Sequence, residues 1–453
     1  MGAVRRCGLL AALLLCLAGA GGARLAADGG EAGEAARLKA LYRRPAAMPF
    51  AADGPREVAR AGLGRALFFD PRLSGGNGFA CATCHDPDSG WTDRLPRAVG
   101  ETGATLPRRT PTLLNLAWGE RFFWDGRAAS LEAQALEPVQ APDEMNQPVA
   151  ALVAELAADP DYSARFAAAF PDRPAVSGET IARAIAAFER RLVSGTAPFD
   201  RWVAGDAGAI GEDAKRGFLL FNGKAGCAAC HSGWAFTDHA FHDIGLPGSD
   251  PGRGKVLGLP ALDHAFKTPT LRDVAIRAPY MHDGSLPTLG AVLDHYATGI
   301  VARPTLSDDL RPVALTEAER HDLLAFLETL TGEQPAGSPV GEAAPPPAAP
   351  GETVQADGGA DGGAEPVRSM AEVSQRDKAF RPRRISLRVG GTLSVLNDDT
   401  RKHNVRISDP DLQVNSGIQA PGETVRIRFP RAGTFEAYCG IHPKMKLTVD
   451  VGG

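Results

Sequence analysis

Three features are scarce or absent in this sequence, and each limits the class of protein that the sequence can encode. After residue 23, no stretch approaches the roughly 20 consecutive apolar residues that a membrane-spanning helix needs. The net charge is -5 over 453 residues, so the chain lacks the basic excess that a nucleic-acid-binding protein carries. Cysteine is scarce, with seven residues, and their odd number leaves one thiol to be explained in an exported protein. The hydrophobic content of 44% is ordinary for a globular chain, and the length predicts about three domains.

Residues 1–23 have the pattern of a secretory signal peptide. An arginine pair forms the charged start, Leu9 to Ala18 form the apolar stretch, and residues 21–23 form a small-residue cleavage region. The apolar stretch is too short to span a bilayer. We therefore expect a soluble mature protein exported to a bacterial periplasm, in which Cys7 and Cys16 are lost with the signal.

Four of the remaining cysteines form two copies of one motif. Cys81-Ala82-Thr83-Cys84-His85 and Cys227-Ala228-Ala229-Cys230-His231 both read Cys-x-x-Cys-His. This is the attachment signal for c-type haem, in which two thiols add to the porphyrin vinyl groups and the adjacent histidine binds the iron. A bare Cys-x-x-Cys also occurs in redox dithiols and zinc sites. The following histidine and the second copy favour two covalently bound haem c groups.

The regions around the two motifs resemble each other and predict two helical units. Residues 34–204 show helical periodicity, for example over Val149 to Phe170 and Ile181 to Leu192, and residues 211–332 form the second unit. Gly64 to Phe69 precede the first motif as Arg216 to Phe221 precede the second, and Ser-Gly-Trp follows each. This self-similarity predicts duplication of a mono-haem cytochrome c fold.

The C-terminal part of the chain changes from helical to strand periodicity. Residues 333–370 predict a flexible linker, because Glu333 to Val367 contain no aromatic and no basic residue. Beyond it, apolar residues alternate with polar ones at Ile385, Leu387 and Val389, at Val425, Ile427 and Phe429, and at Leu447 and Val449. Residues 371–453 therefore predict an all-β sandwich. Its net charge is +5, which leaves -10 for the rest of the chain.

The segment between the haem motifs carries a family resemblance. Phe123-Trp124-Asp125-Gly126-Arg127 and its continuation to Leu136 resemble the bacterial di-haem cytochrome c peroxidase and MauG family. The resemblance extends over roughly residues 63–299, through Arg109 to Asn115, Glu144-Met145, Phe241 to Gly245, Lys267 to Arg272 and Ala278 to Gly284. It implies a peroxidatic first haem that acts on hydrogen peroxide and a second, electron-transfer haem. It also implies an external donor such as a small cytochrome c or a cupredoxin. A calcium ion between the haem domains and a homodimer are further expectations.

In this family a glutamate acts above the first iron, and the matching residue is Glu132. Cleavage of an O–O bond requires a proton to move from the inner to the outer oxygen, which a carboxylate over the iron can carry. The alternative is a solvated helix glutamate. Phe122 stands where many members have a glutamine, and no histidine lies between His85 and Glu132 to cap the iron. We therefore expect an open first iron, as in MauG-type proteins.

The second haem iron has His231 as its proximal ligand and two candidates for its sixth ligand. Tyr296 occupies the position that a distal methionine holds in many family peroxidases, as a tyrosine does in MauG. Met281 is the alternative ligand, and a core aromatic is the alternative role for Tyr296. The choice matters because a phenolate lowers the reduction potential relative to a thioether.

The remaining cysteine, Cys439, belongs to a predicted copper site. Cys439, His442 and Met445 form a Cys-x-x-His-x-x-Met run at the end of a strand, and His403 lies upstream. Two imidazoles, one thiolate and an axial thioether are the ligands of a type 1 (blue) copper site. This part resembles the cupredoxins, with a short ligand loop most like that of amicyanin. A buried free thiol and a zinc site are the alternatives.

Together these features predict a periplasmic di-haem peroxidase that carries its own copper electron donor. It would reduce hydrogen peroxide to water with electrons that pass from copper to the second haem and then to the first. One alternative is a MauG-like enzyme that oxidises residues of a partner protein through high-valent iron. Another is an electron carrier or redox sensor without turnover.

Overall fold

A computed structural model describes residues 33, 35–50, 54–333, 368–409 and 412–452. The predicted signal peptide and residues 334–367 of the predicted linker lie outside this part of the chain. The described residues form two helical units and a β-domain. None of their helices is long and apolar enough to cross a membrane.

The helices of the two units are short and separated by long connections. In chain order they are α1 35–41, α2 Pro55–Phe68, α3 Cys81–Cys84, α4 Leu131–Ala135, α5 Glu137–Gln140, α6 Val149–Ala158, α7 Pro160–Ala169, α8 Gly178–Glu189, α9 Pro198–Ala204, α10 Glu212–Asn222, α11 Arg253–Leu257, α12 Leu289–Asp294 and α13 Glu317–Glu328. A π-helical turn, His295–Gly299, continues α12, and two short strands, β1 Phe241–His242 and β2 Phe266–Lys267, pair antiparallel. Short 3₁₀ turns include Cys227–Ala229 of the second haem motif.

The two units repeat the same helix crossing, as the predicted duplication requires. In the first unit α2 crosses α8 so closely that a Cβ on Gly64 would lie 1.9 Å from the carbonyl oxygen of Ala184. In the second, α10 crosses α13, and a Cβ on Gly217 would lie 2.0 Å from the carbonyl oxygen of Asp322. Only glycine permits either approach. Ala184 of the first unit is therefore equivalent to Asp322 of the second, at an offset of 138 residues along the chain.

The stretch from Val149 to Phe170 differs from the continuous periodicity seen in the sequence. It folds as two helices, α6 and α7, because Pro160 cannot donate the backbone hydrogen bond that would continue α6. Asp159 caps α7 instead, and its side chain accepts hydrogen bonds from the backbone N–H groups of Asp161 and Tyr162.

The core of the second unit extends beyond residues 211–332. Tyr42, which follows α1, and Phe199 and Trp202 of α9 pack with Phe218 and Phe326. Segments at both ends of the expected first domain, residues 34–204, therefore contribute to the hydrophobic core of the second unit.

The C-terminal domain is the expected β-domain. Its strands are β3 Arg368–Arg376, β4 Ala379–Arg381, β5 Arg384–Asn397, β6 Arg406–Asp409, β7 Leu412–Asn415, β8 Thr424–Arg428, β9 Gly433–Tyr438 and β10 Lys446–Gly452. Their order is β4-β3-β5-β10-β9-β6-β7, with β8 also paired to β5. The first half of β5 pairs with β10 and its second half with β3 and β8, so this strand is shared between the two layers of a sandwich. The first strand begins at Arg368, three residues before residue 371.

The predicted alternation holds in the sandwich except at Val389. Ile385, Leu387 and Val449 are buried as expected, whereas Val389 is 44% exposed. Gly390 follows with a φ of +80°, and the pairing of β3 with β5 shifts register there. An irregularity of this kind places two consecutive residues on the outer face, which explains why Val389 does not follow the pattern.

Candidate functional site

Both haem-attachment motifs hold their histidine in the same way. His85 Nδ1 lies 3.1 Å from the carbonyl oxygen of Trp91, and His231 Nδ1 lies 3.0 Å from that of Phe236. Each contact occupies Nδ1 and leaves Nε2 for a metal. Burial lowers the pKa of both imidazoles, which favours the neutral form that binds iron.

A continuous cavity of about 1490 Å³ joins the two motifs. Its lining includes all six motif side chains, namely Cys81, Cys84, His85, Cys227, Cys230 and His231. Burial raises the pKa of Cys81 to about 12, of Cys84 to about 11 and of Cys227 to about 12, so these are protonated thiols before they form thioethers. The largely apolar cavity, with a sulfur pair and an imidazole in each half, fits two covalently attached haem groups.

Glu132 forms an ion pair beside the first haem region and is not among the residues that line the cavity. It is the second residue of α4, and its Oε1 lies 2.7 Å from Arg190. Burial raises its pKa, but a backbone hydrogen bond and Arg190 outweigh burial and hold that pKa below its usual value. Glu132 is therefore an ionised carboxylate, and its acid–base role stays a prediction.

A second carboxyl group, that of Glu189, lines the cavity and was missed from the sequence. It lines the cavity at the end of α8, is 4% exposed, and its Oε2 has no hydrogen-bond partner. Burial raises its pKa to about 8, and nearby Glu132 adds to the effect. The offset of 138 residues between α8 and α13 aligns Glu189 with Leu327, which also lines the cavity. That exchange of leucine for glutamate is the signal that an alignment of the two repeats would have given.

The two candidate sixth ligands of the second haem, Tyr296 and Met281, both line the cavity. Tyr296 lies in the π-helical turn after α12, an irregularity that often marks functional positions. Burial raises its pKa, and the neighbouring thiols of Cys230 and Cys227 raise it further, so the phenol is protonated without a metal. The structure places both side chains in the cavity and the ligand assignment stays a prediction.

Three of the four predicted copper ligands converge in the β-domain. Cys439 Sγ lies 3.8 Å from Nδ1 of His403 and 3.8 Å from Nδ1 of His442, and the two nitrogens are 3.1 Å apart. A metal with bonds of about 2.0 Å to nitrogen and 2.3 Å to sulfur can span these separations. Met445 is buried in the same loop, where its carbonyl oxygen accepts a hydrogen bond from Cys439 N–H at 3.1 Å. The donor set fits a type 1 copper ion.

The surroundings of these ligands fix their orientation. Asp399 Oδ2 lies 3.1 Å from Nε2 of His403, which leaves Nδ1 of that imidazole for a metal. Asn404 accepts a hydrogen bond from the N–H of Gly440 at 2.6 Å and so holds the ligand loop against the strand end. Burial lowers the pKa of His403 and His442 and raises that of Cys439. A bound cation would reverse the effect on the thiol.

The β-domain is docked on the second helical unit through opposite charges. Its cationic side chains meet acidic ones in four ion pairs, Lys378–Asp238 at 3.3 Å, Lys378–Asp309 at 3.4 Å, Arg401–Asp309 at 2.7 Å and Lys402–Asp308 at 3.4 Å. Lys378 also donates to the carbonyl oxygen of Ala229, between the two cysteines of the second haem motif, at 3.3 Å. Leu257, Leu259 and Leu262 of the second unit pack against the β-domain core. The predicted charge difference thus corresponds to a contact surface.

Arg253 connects all three domains. The residue is 1% exposed, and its guanidinium donates two hydrogen bonds of 3.2 Å to the carbonyl oxygen of Gly440 in the predicted copper-ligand loop. It also donates to the carbonyl oxygens of Asp125 at 3.1 Å and Gly126 at 2.8 Å, in the motif after the first haem. Burial lowers its pKa to about 10, so it stays charged at neutral pH.

Comparison with known proteins identifies the helical units. Residues 58–208 match the family model for di-haem cytochrome c peroxidase, and residues 214–331 match that for cytochrome c. A methylamine utilization protein MauG of Methylorubrum extorquens is 53% identical over 330 residues, which are 72% of this chain and 92% of that protein. The chain belongs to the di-haem cytochrome c peroxidase family.

Other family members are more distant. The cytochrome c551 peroxidase of Nitrosomonas europaea is 34% identical over 294 residues, which are 64% of this chain and 84% of that protein. The crystal structure of a MauG-like protein associated with microbial copper homeostasis is 35% identical, with a TM-score of 0.58 over 64% of this chain and 93% of that structure. Relatives of this chain therefore include both MauG proteins and peroxidases.

Proposed function

We propose that this protein is a periplasmic di-haem cytochrome c peroxidase that reduces hydrogen peroxide to water with electrons from its own type 1 copper domain. Electrons from an external reductant would enter at the copper ligands and reach the first haem motif through the second. The observation that carries this proposal is the docking of the copper domain on the second haem motif, where Lys378 donates to the carbonyl oxygen of Ala229. The copper domain thus contacts the loop that attaches the second haem.

The chain's own residues define what each part contributes. When bound, the first haem supplies the site where the O–O bond is cleaved, and the second haem and copper supply electrons one at a time. His85 and His231 would hold the two irons, and His403, Cys439, His442 and Met445 would hold copper. The Glu132 carboxylate is the proposed acid–base group, because an ionised carboxylate can accept the peroxide proton and return it to the departing oxygen.

The direct test measures steady-state peroxide consumption with a chemical reductant that reaches copper. The wild-type holoprotein should turn over, and Cys439→Ser, which cannot form the thiolate bond, should lose both the blue absorption near 600 nm and turnover with that reductant. An artificial donor that reduces the haems directly should restore turnover in the variant. A blue band that persists in Cys439→Ser would reject the copper assignment. Undiminished turnover with the copper-directed reductant would reject the electron route.

A MauG-like reaction is the second candidate function. It is favoured by sequence identity, which is 53% and 48% to two MauG proteins but 34% to the peroxidase of Nitrosomonas europaea. In that case a partner protein is the reductant of the first haem, and copper collects the electrons that leave. Slow decay of the peroxide-treated protein without rapid turnover would support this candidate, whereas haems inert to peroxide would support an electron carrier or sensor.

A further inference from the structure

The copper ligand His442 is covered by the second helical unit. Its Nδ1 faces Cys439 and His403, so the opposite edge of its ring carries Nε2. The His442 side chain is 5% exposed, and its ring lies against that of His242, with 6.5 Å between ring centroids and 63° between the planes. The imidazole of His442 therefore lies beside a residue of the second unit.

His242 is fixed in place from both sides of its ring. Its Nε2 lies 3.0 Å from Asp238 Oδ2, and its Nδ1 lies 2.9 Å from Ser307 Oγ. It is 7% exposed and belongs to the two-residue strand β1, which pairs with β2. Because both nitrogens have partners, the ring cannot rotate without breaking a buried hydrogen bond.

The same side chain reaches the second haem motif. A ring nitrogen of His242, an oxygen of Asp238 and Sγ of Cys230 all lie within 4.8 Å of one another. In the holoprotein Cys230 Sγ is the thioether sulfur that joins the chain to the second haem. His242 thus contacts a copper ligand on one side and a haem attachment atom on the other.

Backbone contacts hold this arrangement in register. Phe241 N–H donates to the carbonyl oxygen of Ile441 at 3.2 Å, which links β1 directly to the copper-ligand loop. Arg253 binds the carbonyl oxygen of the neighbouring Gly440. The contact between the two histidines therefore lies inside an interface whose two sides are hydrogen-bonded together.

We propose that His242 is the positioning residue through which electrons pass between His442 of the copper site and Cys230 of the second haem. The step transfers one electron from cuprous copper to the ferric second haem, and no bond or proton is exchanged. The inference rests on the proposed function, since it names the connection that the copper-to-haem route uses. Because the second unit covers His442, the proposal further implies that an external donor reaches copper by a path that does not pass through His442.

The test is a flash-reduction experiment on the full-length holoprotein. Copper is reduced by a short pulse, and reduction of the second haem is followed in its absorption band. The wild type should show a phase whose rate is independent of protein concentration. In His242→Phe and His242→Gln this rate constant should fall about tenfold or more, where each tenfold corresponds to roughly 1.4 kcal/mol of barrier. The exposed histidine of the same unit, His321, gives the control His321→Phe, which should retain the wild-type rate.

A second pair of variants tests the docking of the β-domain on the second unit without changing His242. Lys378→Met removes a cation at the interface, whereas Arg384→Met removes one that pairs with Asp450 inside the β-domain at 2.7 Å. In copper-free protein, hydrogen exchange at the Phe241 amide should accelerate in Lys378→Met and stay unchanged in Arg384→Met. Equal exchange in both variants and the wild type would contradict the docked arrangement without any use of enzyme activity.

The outcomes distinguish a failure of the proposed copper-to-haem route from a failure of the proposed role of His242. If the wild type shows no concentration-independent phase, the copper-to-haem route of the proposed function is wrong. If the wild type shows the phase and both His242 variants keep its rate with intact haem and copper spectra, the route stands and the role of His242 is overturned. A reduced rate with intact spectra in both variants supports His242 as the connection.

Discussion

Glu189 offers a sharp test of the electrostatics around the first haem. Its carboxyl is buried at the end of α8 with a pKa raised from 4.5 to about 8. A raised pKa means that the folded protein holds this proton more tightly than the unfolded chain. The contribution of this protonated carboxyl to the free energy of unfolding is fully present below about pH 4.5 and is lost as the pH rises through about 8.

The size of the effect follows from the pKa difference. Each pKa unit corresponds to about 1.4 kcal/mol, so Glu189 should cost the fold about 3 kcal/mol at pH 7 relative to a group that does not titrate. Glu189→Gln keeps the shape and polarity of the side chain without the acid. The free energy of unfolding of this variant should therefore exceed that of the wild type by an amount that grows between pH 5 and pH 8 and then levels off.

The measurement is denaturant unfolding of the holoprotein at several pH values, followed by haem absorbance. Glu179→Gln is the matched control, because Glu179 lies at the start of the same helix but is exposed and paired with Arg173. Its stability difference from the wild type should stay small and nearly independent of pH. A difference for Glu189→Gln that is equally constant from pH 5 to pH 8 would refute the reasoning.

Three further predictions concern the domain junction and the second haem. Arg253→Met leaves the carbonyl oxygens of Gly440, Asp125 and Gly126 without their hydrogen-bond donor. The free energy of unfolding, measured by calorimetry, should therefore fall by about 3 kcal/mol or more. Arg253→Lys should recover only part of this loss. Tyr296→Phe should alter the visible spectrum of the second haem if the phenol is its ligand, and an unchanged spectrum would transfer the assignment to Met281. Raising the salt from 0.1 M to 1 M, which shortens the Debye length from about 10 Å to about 3 Å, should loosen the copper domain and accelerate exchange at the Phe241 amide.

Much of the fold was predictable because each unit carries a local signature. The Cys-x-x-Cys-His motifs locate the two predicted haem sites, the repeated helix crossing follows from matched segments such as Gly64 to Phe69, and the change to strand periodicity marks the β-domain. The convergence of Cys439, His442 and Met445 was predictable for a similar reason, since these proposed copper ligands share one loop. In each case the chemistry requires residues that lie close together in the sequence.

What the sequence did not reveal depends on contacts between distant segments. His242 stood only in a family motif, and its position between Cys230 and His442 requires the docked β-domain. Arg253 carries no motif, although it is among the most deeply buried side chains of the described residues. Such residues have roles only in the assembled fold, so neither periodicity nor spacing identifies them.

The duplication also bears on whether the first iron is open. Ser130 caps α4 as Thr288 caps α12, an offset of 158 residues, and this offset aligns Pro138 with the candidate ligand Tyr296. Both side chains line the cavity, but proline offers no atom that can bind iron. No histidine lies between His85 and Glu132 either. Electron paramagnetic resonance of the oxidised holoprotein should therefore show one high-spin and one low-spin haem, and a purely low-spin spectrum would mean that another side chain caps the first iron.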